Sequence, residues 1–268
     1  MKNLTEQRFW FGKNWKEFIS KLTEDQIERA KNSLIDLFGD NLKGKKFIDV
    51  GCGSGLFSLS AMLLGASVYS FDYDEESVEC CLELKKRYFE NDSNWTINQG
   101  SILDESFLDK LGQFDIVYSY GVLHHTGNLK RSLHLVTKLV DKEGCLYITL
   151  YNDQGRASIF WKKIKKIYIN SNKLTRKFIF FIFFIYFTIP RILLNLLKLD
   201  FSYIFNKYRG MELLINIEDW LGGYPFEVSK PDDILDIYKK NFTLEHLVTV
   251  AGNHGNNEYL FQRKSNND

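Results

Sequence analysis

The chain is poor in the residues that mark linkers, metal clips and secreted scaffolds. Three prolines in 268 residues leave no room for a proline-rich linker. Four cysteines stand at Cys52, Cys80, Cys81 and Cys145, with no Cys-X-X-Cys pair and no Cys/His ligand spacing. That pattern excludes a structural zinc site, so no metal is expected, and it suits reduced thiols in the cytoplasm. The first residues, Met1-Lys2-Asn3-Leu4-Thr5-Glu6-Gln7-Arg8, lack the apolar stretch of a secretory signal. The one spanning candidate, Phe178 to Ile189, stops at twelve uncharged residues before Pro190 and Arg191. A membrane helix needs about 20. A net charge of +1 supplies no overall field toward nucleic acid. Internal repeats and low-complexity tracts are also missing.

What is present is ordinary globular composition, 44% hydrophobic and 26% charged, with an uneven distribution. Residues 156–210 carry twelve Lys and Arg and a single acid, Asp200, together with fourteen aromatics. A local charge of +11 therefore sits in a body of −10. Such a segment suits peripheral contact with an anionic membrane, at its cytoplasmic face, without any spanning helix.

Around this segment the pattern is strand and helix in alternation. Apolar strands are expected at Lys46–Val50, Ser67–Phe71, Trp95–Asn98, Phe114–Tyr118 and Cys145–Leu150, with helices between them. Thr23 and Gln26 form a candidate capping box for a preceding helix that Gly39 stops. Pro231 suits the first turn of a late helix, and Phe242–Val250 and Glu258–Gln262 read as a final antiparallel pair. The expected class is α/β, a doubly wound seven-stranded sheet with a helical insertion after the fifth strand. The expected divisions are an aromatic, helical cap at 1–45 that includes Phe9-Trp10-Phe11, a core at 46–155, a basic aromatic insertion at 156–228, and a closing helix and strand pair at 229–268.

The sharpest motif is Asp49-Val50-Gly51-Cys52-Gly53-Ser54-Gly55, between the first strand and its helix. Glycines at alternate positions let a ligand approach the backbone, and the helix N-terminus presents N–H groups. The spacing differs from the Gly-X-Gly-X-X-Gly of dinucleotide sites. Asp49 before the loop suits a ligand bearing an ammonium group. Asp72, ending the second strand, is placed to accept from ribose hydroxyls, and Tyr73 to stack on an adenine. The fourth strand runs into Tyr118-Ser119-Tyr120-Gly121-Val122-Leu123-His124-His125.

On these residues the sequence resembles the class I S-adenosylmethionine-dependent methyltransferases of Rossmann-like fold, especially the branch with the ubiquinone-biosynthesis O-methyltransferases. The resemblance covers residues 45–150 closely and 231–263 by layout. It implies that S-adenosylmethionine meets Asp49, Gly51, Cys52, Gly53 and Gly55 with its methionine part and Asp72 with its ribose. Tyr118 to Leu123, with Tyr118 and Tyr120, would face the methyl group. The family often places an Asp beside the adenine after the third strand. Here Ser101 holds that place, next to Ile102. Phe11-Gly12-X-Asn14-Trp15, Tyr151 to Gly155, Arg209-Gly210-Met211 and Asp219 to Glu227 resemble bacterial methyltransferases that accompany cell-surface sugar biosynthesis.

The implied activity is methyl transfer to oxygen on a small, sugar-bearing or lipid-linked acceptor. A hydroxyl nucleophile loses a proton, so a general base is expected among His124, Asp219 and Glu227. The acid and aromatics of Asp219-Trp220-X-Gly222-Gly223-Tyr224-Pro225-X-Glu227 also suit acceptor binding, and the insertion would cover that acceptor. The competing reading is a membrane-associated binding protein that keeps the fold without turnover. The intact glycine loop, Asp49 and Asp72 favour the enzyme.

Overall fold

A computed structural model of the chain describes residues 12–198, 213–250 and 255–265. Phe9-Trp10-Phe11, Asp200, Arg209-Gly210-Met211 and residues 251–254 lie outside the described residues. The described chain forms two units, one of residues 12–158 and 227–265 and one drawn from 159–226.

The first unit is built on seven strands: β1 (Lys46–Val50), β2 (Ser67–Asp72), β3 (Trp95–Gln99), β4 (Phe114–Ser119), β5 (Val140–Tyr151), β6 (Phe242–Val248) and β7 (Asn256–Arg263). Their order is β3-β2-β1-β4-β5-β7-β6. The first five are parallel, and β7 slots antiparallel between β5 and β6. The expected alternation is therefore a doubly wound sheet closed by an antiparallel pair. β1 lies between β2 and β4, so the chain reverses its direction of travel at β1. Ligands in open α/β sheets bind beyond the carboxyl ends of strands at such a point.

The parallel strands are nearly continuous apolar runs because helices cover both faces. Ile48, Val50, Val117, Leu146, Ile148 and Leu150 are all fully buried. The covering helices are α1 (Gly12–Ser20), α2 (Glu24–Phe38), α3 (Leu56–Leu63), α4 (Glu75–Phe89), α5 (Glu105–Leu108) and α6 (Leu129–Val136). α2 starts at the expected capping box: Gln26 N donates to Thr23 Oγ1, and Thr23 N donates to Gln26 Oε1 at 2.8 Å. It stops at Gly39, whose N–H donates to Ile35 O. The apolar pattern from Leu129 to Val140 reads as one helix, but α6 ends four residues earlier, at Val136. The chain then enters β5 at Val140, which pairs with Phe114 across an irregularity in β4.

The second unit is helical: most of α7 (Arg156–Asn170), α8 (Lys173–Lys198) and α9 (Leu213–Gly222). Trp161 of α7 is its hub, with ring centroids 5.2 Å from Phe183, 6.1 Å from Phe187 and 5.2 Å from Trp220. Lys165, one turn on, is fully buried. Its ammonium donates to Trp220 O and sits 4.0 Å from the Trp220 ring centroid and 4.9 Å from that of Phe226. Trp220 lies in the last turn of α9, where carbonyls lack helical partners and a cation is favoured. Burial holds the Lys165 pKa well below its ordinary value, and the nearby Asp219 charge opposes that shift. α8 is 26 residues long, yet no described helix is long and apolar enough to cross a membrane. α10 (Pro231–Tyr238) returns the chain to the first unit, with Pro231 in its first turn as expected.

Candidate active site

Everything the glycine loop does begins with the end of β1. Gly51 and Cys52 both donate to Phe71 O on β2, at 2.8 and 3.0 Å, which turns the chain sharply as the strand ends. Gly51 has φ 76° and Gly53 φ 53°, a left-handed backbone that side chains resist. Space is also short. A Cβ on Gly51 would fall 2.4 Å from Val122 Cγ1, and one on Gly53 would fall 3.0 Å from Trp15 Nε1. The N-cap of α3 is Gly55, which has no side chain to cap the first-turn N–H groups.

Asp72 ties the loop to β2. Its Oδ2 accepts from Gly53 N and its Oδ1 from Asp74 N, both at 2.9 Å. The carboxylate is thereby held at the strand tip, half-buried. Tyr73 follows, also half-buried, and its carbonyl accepts from Gln99 Nε2 at the end of β3.

Asp49 sits beneath the loop and is 3% exposed. Its Oδ2 accepts from Ser58 Oγ at 2.6 Å, Ser70 Oγ bonds Ser58 Oγ at 2.8 Å, and Trp95 Nε1 donates to Ser70 Oγ at 2.9 Å. Burial is the main cause lifting its pKa from 3.8 to about 7; the Asp72 charge adds to this and Ser58 opposes it. Among the described residues no cation pairs with this carboxyl group. A buried acid next to a glycine loop, lacking a counter-ion, suits a ligand that brings its own positive charge.

The remaining expected residues divide by burial. Tyr118 is 1% exposed and stacks on Tyr147 at 5.0 Å, so its ring belongs to the sheet's packing. Tyr120 is half-buried, 5.4 Å from the Phe57 ring of α3. Ile102 and Cys52 are buried. The hydrogen bond with the neighbouring Cys81 thiol, and then burial, push the Cys52 pKa well up, which makes it an inert thiol. Ser101 is half-buried, its Oγ accepting from Leu103 N.

His124 is 1% exposed, with its ring 4.0 Å from Tyr151 and 4.5 Å from His125, which is the more open of the two. Glu227 N donates to His124 O at 3.0 Å. The Glu227 carboxylate accepts from Leu129 N through both oxygens, at 3.0 and 3.2 Å. An acid there meets the positive end of the α6 dipole. His124 and Glu227 are thus brought together. Asp219 belongs to the helical unit, near Lys165.

Trp15 is missing from the expected site, although Phe11-Gly12-X-Asn14-Trp15 stands out in the sequence. Gly12 explains its placement. Gly12 N donates to the buried Asp74 Oδ2 at 2.8 Å, and a Cβ on Gly12 would fall 2.2 Å from Glu76 Cβ. Only glycine lets α1 come this close to the start of α4, and that approach lays the Trp15 indole against the glycine loop.

With this geometry in view, residues 41–178 match the Methyltransferase domain family. The chain belongs to that family. Curated methyltransferases resemble it over part of their length. The ubiquinone biosynthesis O-methyltransferase of Pelagibacter ubique is 26% identical over 119 residues, 44% of this chain and 47% of that protein. The histidine protein methyltransferase 1 homolog of Dictyostelium discoideum is 30% identical over 118 residues, 40% of this chain and 35% of that protein. The matched region therefore spans about half or less of these methyltransferase relatives. Among solved structures, the magnesium protoporphyrin IX methyltransferase of Synechocystis PCC 6803, crystallised with SAH, shares the fold. Its TM-score is 0.51 at 16% identity, over 91% of this chain and 89% of that one.

Proposed function

We propose that the protein is an S-adenosylmethionine-dependent methyltransferase that methylates an oxygen on a small, sugar-bearing or lipid-linked acceptor. The observation that carries this reading is the bond from Gly53 N to Asp72 Oδ2. That bond holds Asp72, which we assign to the ribose hydroxyls, directly beside the glycine loop. The buried Asp49, paired with no cation among the described residues, fits the ammonium of the methionine part. Tyr73, Ser101 and Ile102 are assigned to the adenine end, and Tyr120 to the side of the methyl group. Trp15 joins this set as a wall against Gly53. When bound, the cofactor supplies an electrophilic methyl group on a sulfonium. The protein's own task is then to position the acceptor and take its proton.

For that proton we retain His124, Glu227 and Asp219. Glu227 also braces the start of α6 and the His124 backbone, so its loss would disturb both. The proposed location is the cytoplasm, where the four cysteines stay reduced. The test is mass spectrometry of the purified protein with S-adenosylmethionine and a pool of cell metabolites, searched for a gain of one methyl. A methylated product that depends on Asp72 supports the reading. Cofactor binding by calorimetry with no methylated product from any pool would favour a binding protein that has lost turnover.

A further inference from the structure

The outer face of α8 is apolar where a helix in water presents charge. On a helix, positions 174, 178, 181, 182, 185 and 189 fall within an arc of about 100°. Here they are Leu174, Phe178, Phe181, Ile182, Ile185 and Ile189, and all are exposed, Leu174 at 79% and Phe178 at 64%. The helix does not lack a core of its own, because Phe183 and Phe187 on another face pack on Trp161. α8 therefore has one apolar face turned inward and a second turned outward. Contiguous exposed apolar surface of this kind marks an interaction site.

Charge decides the partner. Between Arg156 and Lys198 there are ten Lys and Arg and no Asp or Glu. Lys162, Lys163, Lys166, Lys173 and Lys177 are exposed. A second copy of this chain would bring the same positive charge to the interface and be repelled. Anionic lipid supplies both a negative surface and an apolar layer beneath it. From Leu174 to Ile189 the helix rises about 22 Å, enough to lie along a bilayer and too little for its roughly 30 Å hydrocarbon core.

We propose that α8 docks peripherally on an anionic bilayer, lying in the interface plane. Its six outward apolar side chains enter the headgroup–acyl boundary, and the exposed lysines meet lipid phosphates. Each lysine near such a surface strengthens binding roughly fivefold, and the gain is screened by salt. This docking does not depend on the methyltransferase reading, since it uses none of the residues assigned to the cofactor.

Vesicle sedimentation of the full chain tests it. Binding is expected to phosphatidylcholine vesicles containing phosphatidylglycerol at low salt, with release at high salt, and none to phosphatidylcholine alone. The double variant Phe178→Ser, Phe181→Ser is expected to bind at least about tenfold more weakly. Lys173→Glu with Lys177→Glu leaves the apolar face whole and is also expected to lose binding, so a failure of the serine variant to fold leaves a second check. S-adenosylmethionine affinity, measured on the same samples, is expected to stay unchanged. A wild-type protein that ignores phosphatidylglycerol vesicles at low salt overturns the proposal. So does binding that resists high salt, or a serine variant that binds as the wild type does. A dimer that the serine variant dissociates, without vesicle binding, would assign the face to a second copy instead.

Discussion

The two units of this protein treat apolar side chains in opposite ways. In the sheet unit the central strands hide them: Trp95 is fully buried, and Val50 and Val117 with it. In the helical unit Trp161 and Lys165 are buried, while Phe178 and Phe181 point outward at 64% and 58% exposure. A hydrophobic run thus reports a core in one region and a surface in the other. The charge pattern separates the two cases. The sheet unit places acids at strand ends around a glycine loop, and the helical unit has only bases between 159 and 198. Under the readings proposed above, the first arrangement would serve a small cationic ligand, and the second an extended anionic surface.

The largest expected effect asks which region performs the proton chemistry. His124 and Glu227 lie in the sheet unit and Asp219 in the helical unit. Replacing the true base by His124→Ala, Glu227→Gln or Asp219→Asn should lower kcat by about 10²–10⁴-fold with cofactor affinity unchanged. Single-turnover rates on each variant check this. A collapse in Asp219→Asn alone would make the helical unit catalytic and blur the division drawn above. Near-normal rates in all three would point to an amine or a pre-ionised acceptor.

Next in size is cofactor binding, which should belong to the sheet unit alone. Asp72→Ala removes charge-assisted bonds to the ribose and the brace on Gly53, and should weaken S-adenosylmethionine binding by about 2–4 kcal/mol. Trp15→Ala should cost less, about 1 kcal/mol or a little more, through lost packing. Calorimetry reads both. Vesicle binding should be indifferent to either substitution, and a coupled loss would show that the two regions do not act separately.

Local pattern carried much of the fold. Five apolar runs with helices between them dictate a parallel sheet, and the Thr23–Gln26 box and Gly39 mark both ends of α2 from neighbouring residues alone. What local pattern could not reach is contact across distance. Gly12 meets Asp74 across 62 positions, and that contact, with Lys16 on Glu79 and Arg87 on Ile19 O, docks α1 so that Trp15 lies against Gly53. Likewise nothing near Glu227 says that its carboxylate caps α6 at Leu129, 98 positions away. Tyr118 is burdened by the same limit. A strand end beside a glycine loop reads as ligand-facing, while its burial depends on Tyr147 and Phe57 from other elements. The start of β5 at Val140 was hidden because Val136 to Leu139 continue an apolar helical spacing.

A third test asks whether packing or charge holds the helical unit together. Lys165→Met keeps the volume and discards a buried ammonium, an exchange that is often neutral or stabilising. Hydrogen-exchange protection of α7 and α9 should then stay within about 1 kcal/mol of wild type. Lys165→Ala opens a cavity beneath Trp220 and Phe226 and should cost about 2–4 kcal/mol. If methionine costs as much as alanine, the bond to Trp220 O matters more than the stem that reaches it.

The smallest effect concerns Asp49 and works in opposite directions for folding and for binding. Its carboxyl pKa is raised from 3.8 to about 7, chiefly by burial. Between about pH 4 and 7 the folded chain keeps a proton that the unfolded chain has released, so this group's contribution to stability falls as pH rises. Above about pH 7 both states are ionised and the penalty is constant. A cationic ligand prefers the ionised carboxylate. Its binding should therefore strengthen as pH rises, by roughly fivefold to tenfold between pH 6 and 7.5, as the ionised fraction grows. Asp49→Asn has no such proton to lose, so its affinity should be lower near neutrality and flat across the same window. Titrations with S-adenosylmethionine at several pH values separate the two variants. A wild-type profile as flat as that of Asp49→Asn would mean that Asp49 serves only the Ser58–Ser70–Trp95 chain beneath the loop. The ligand's charge would then be met by Asp72 or by backbone carbonyls, and the acids at the strand ends would no longer act as a pair.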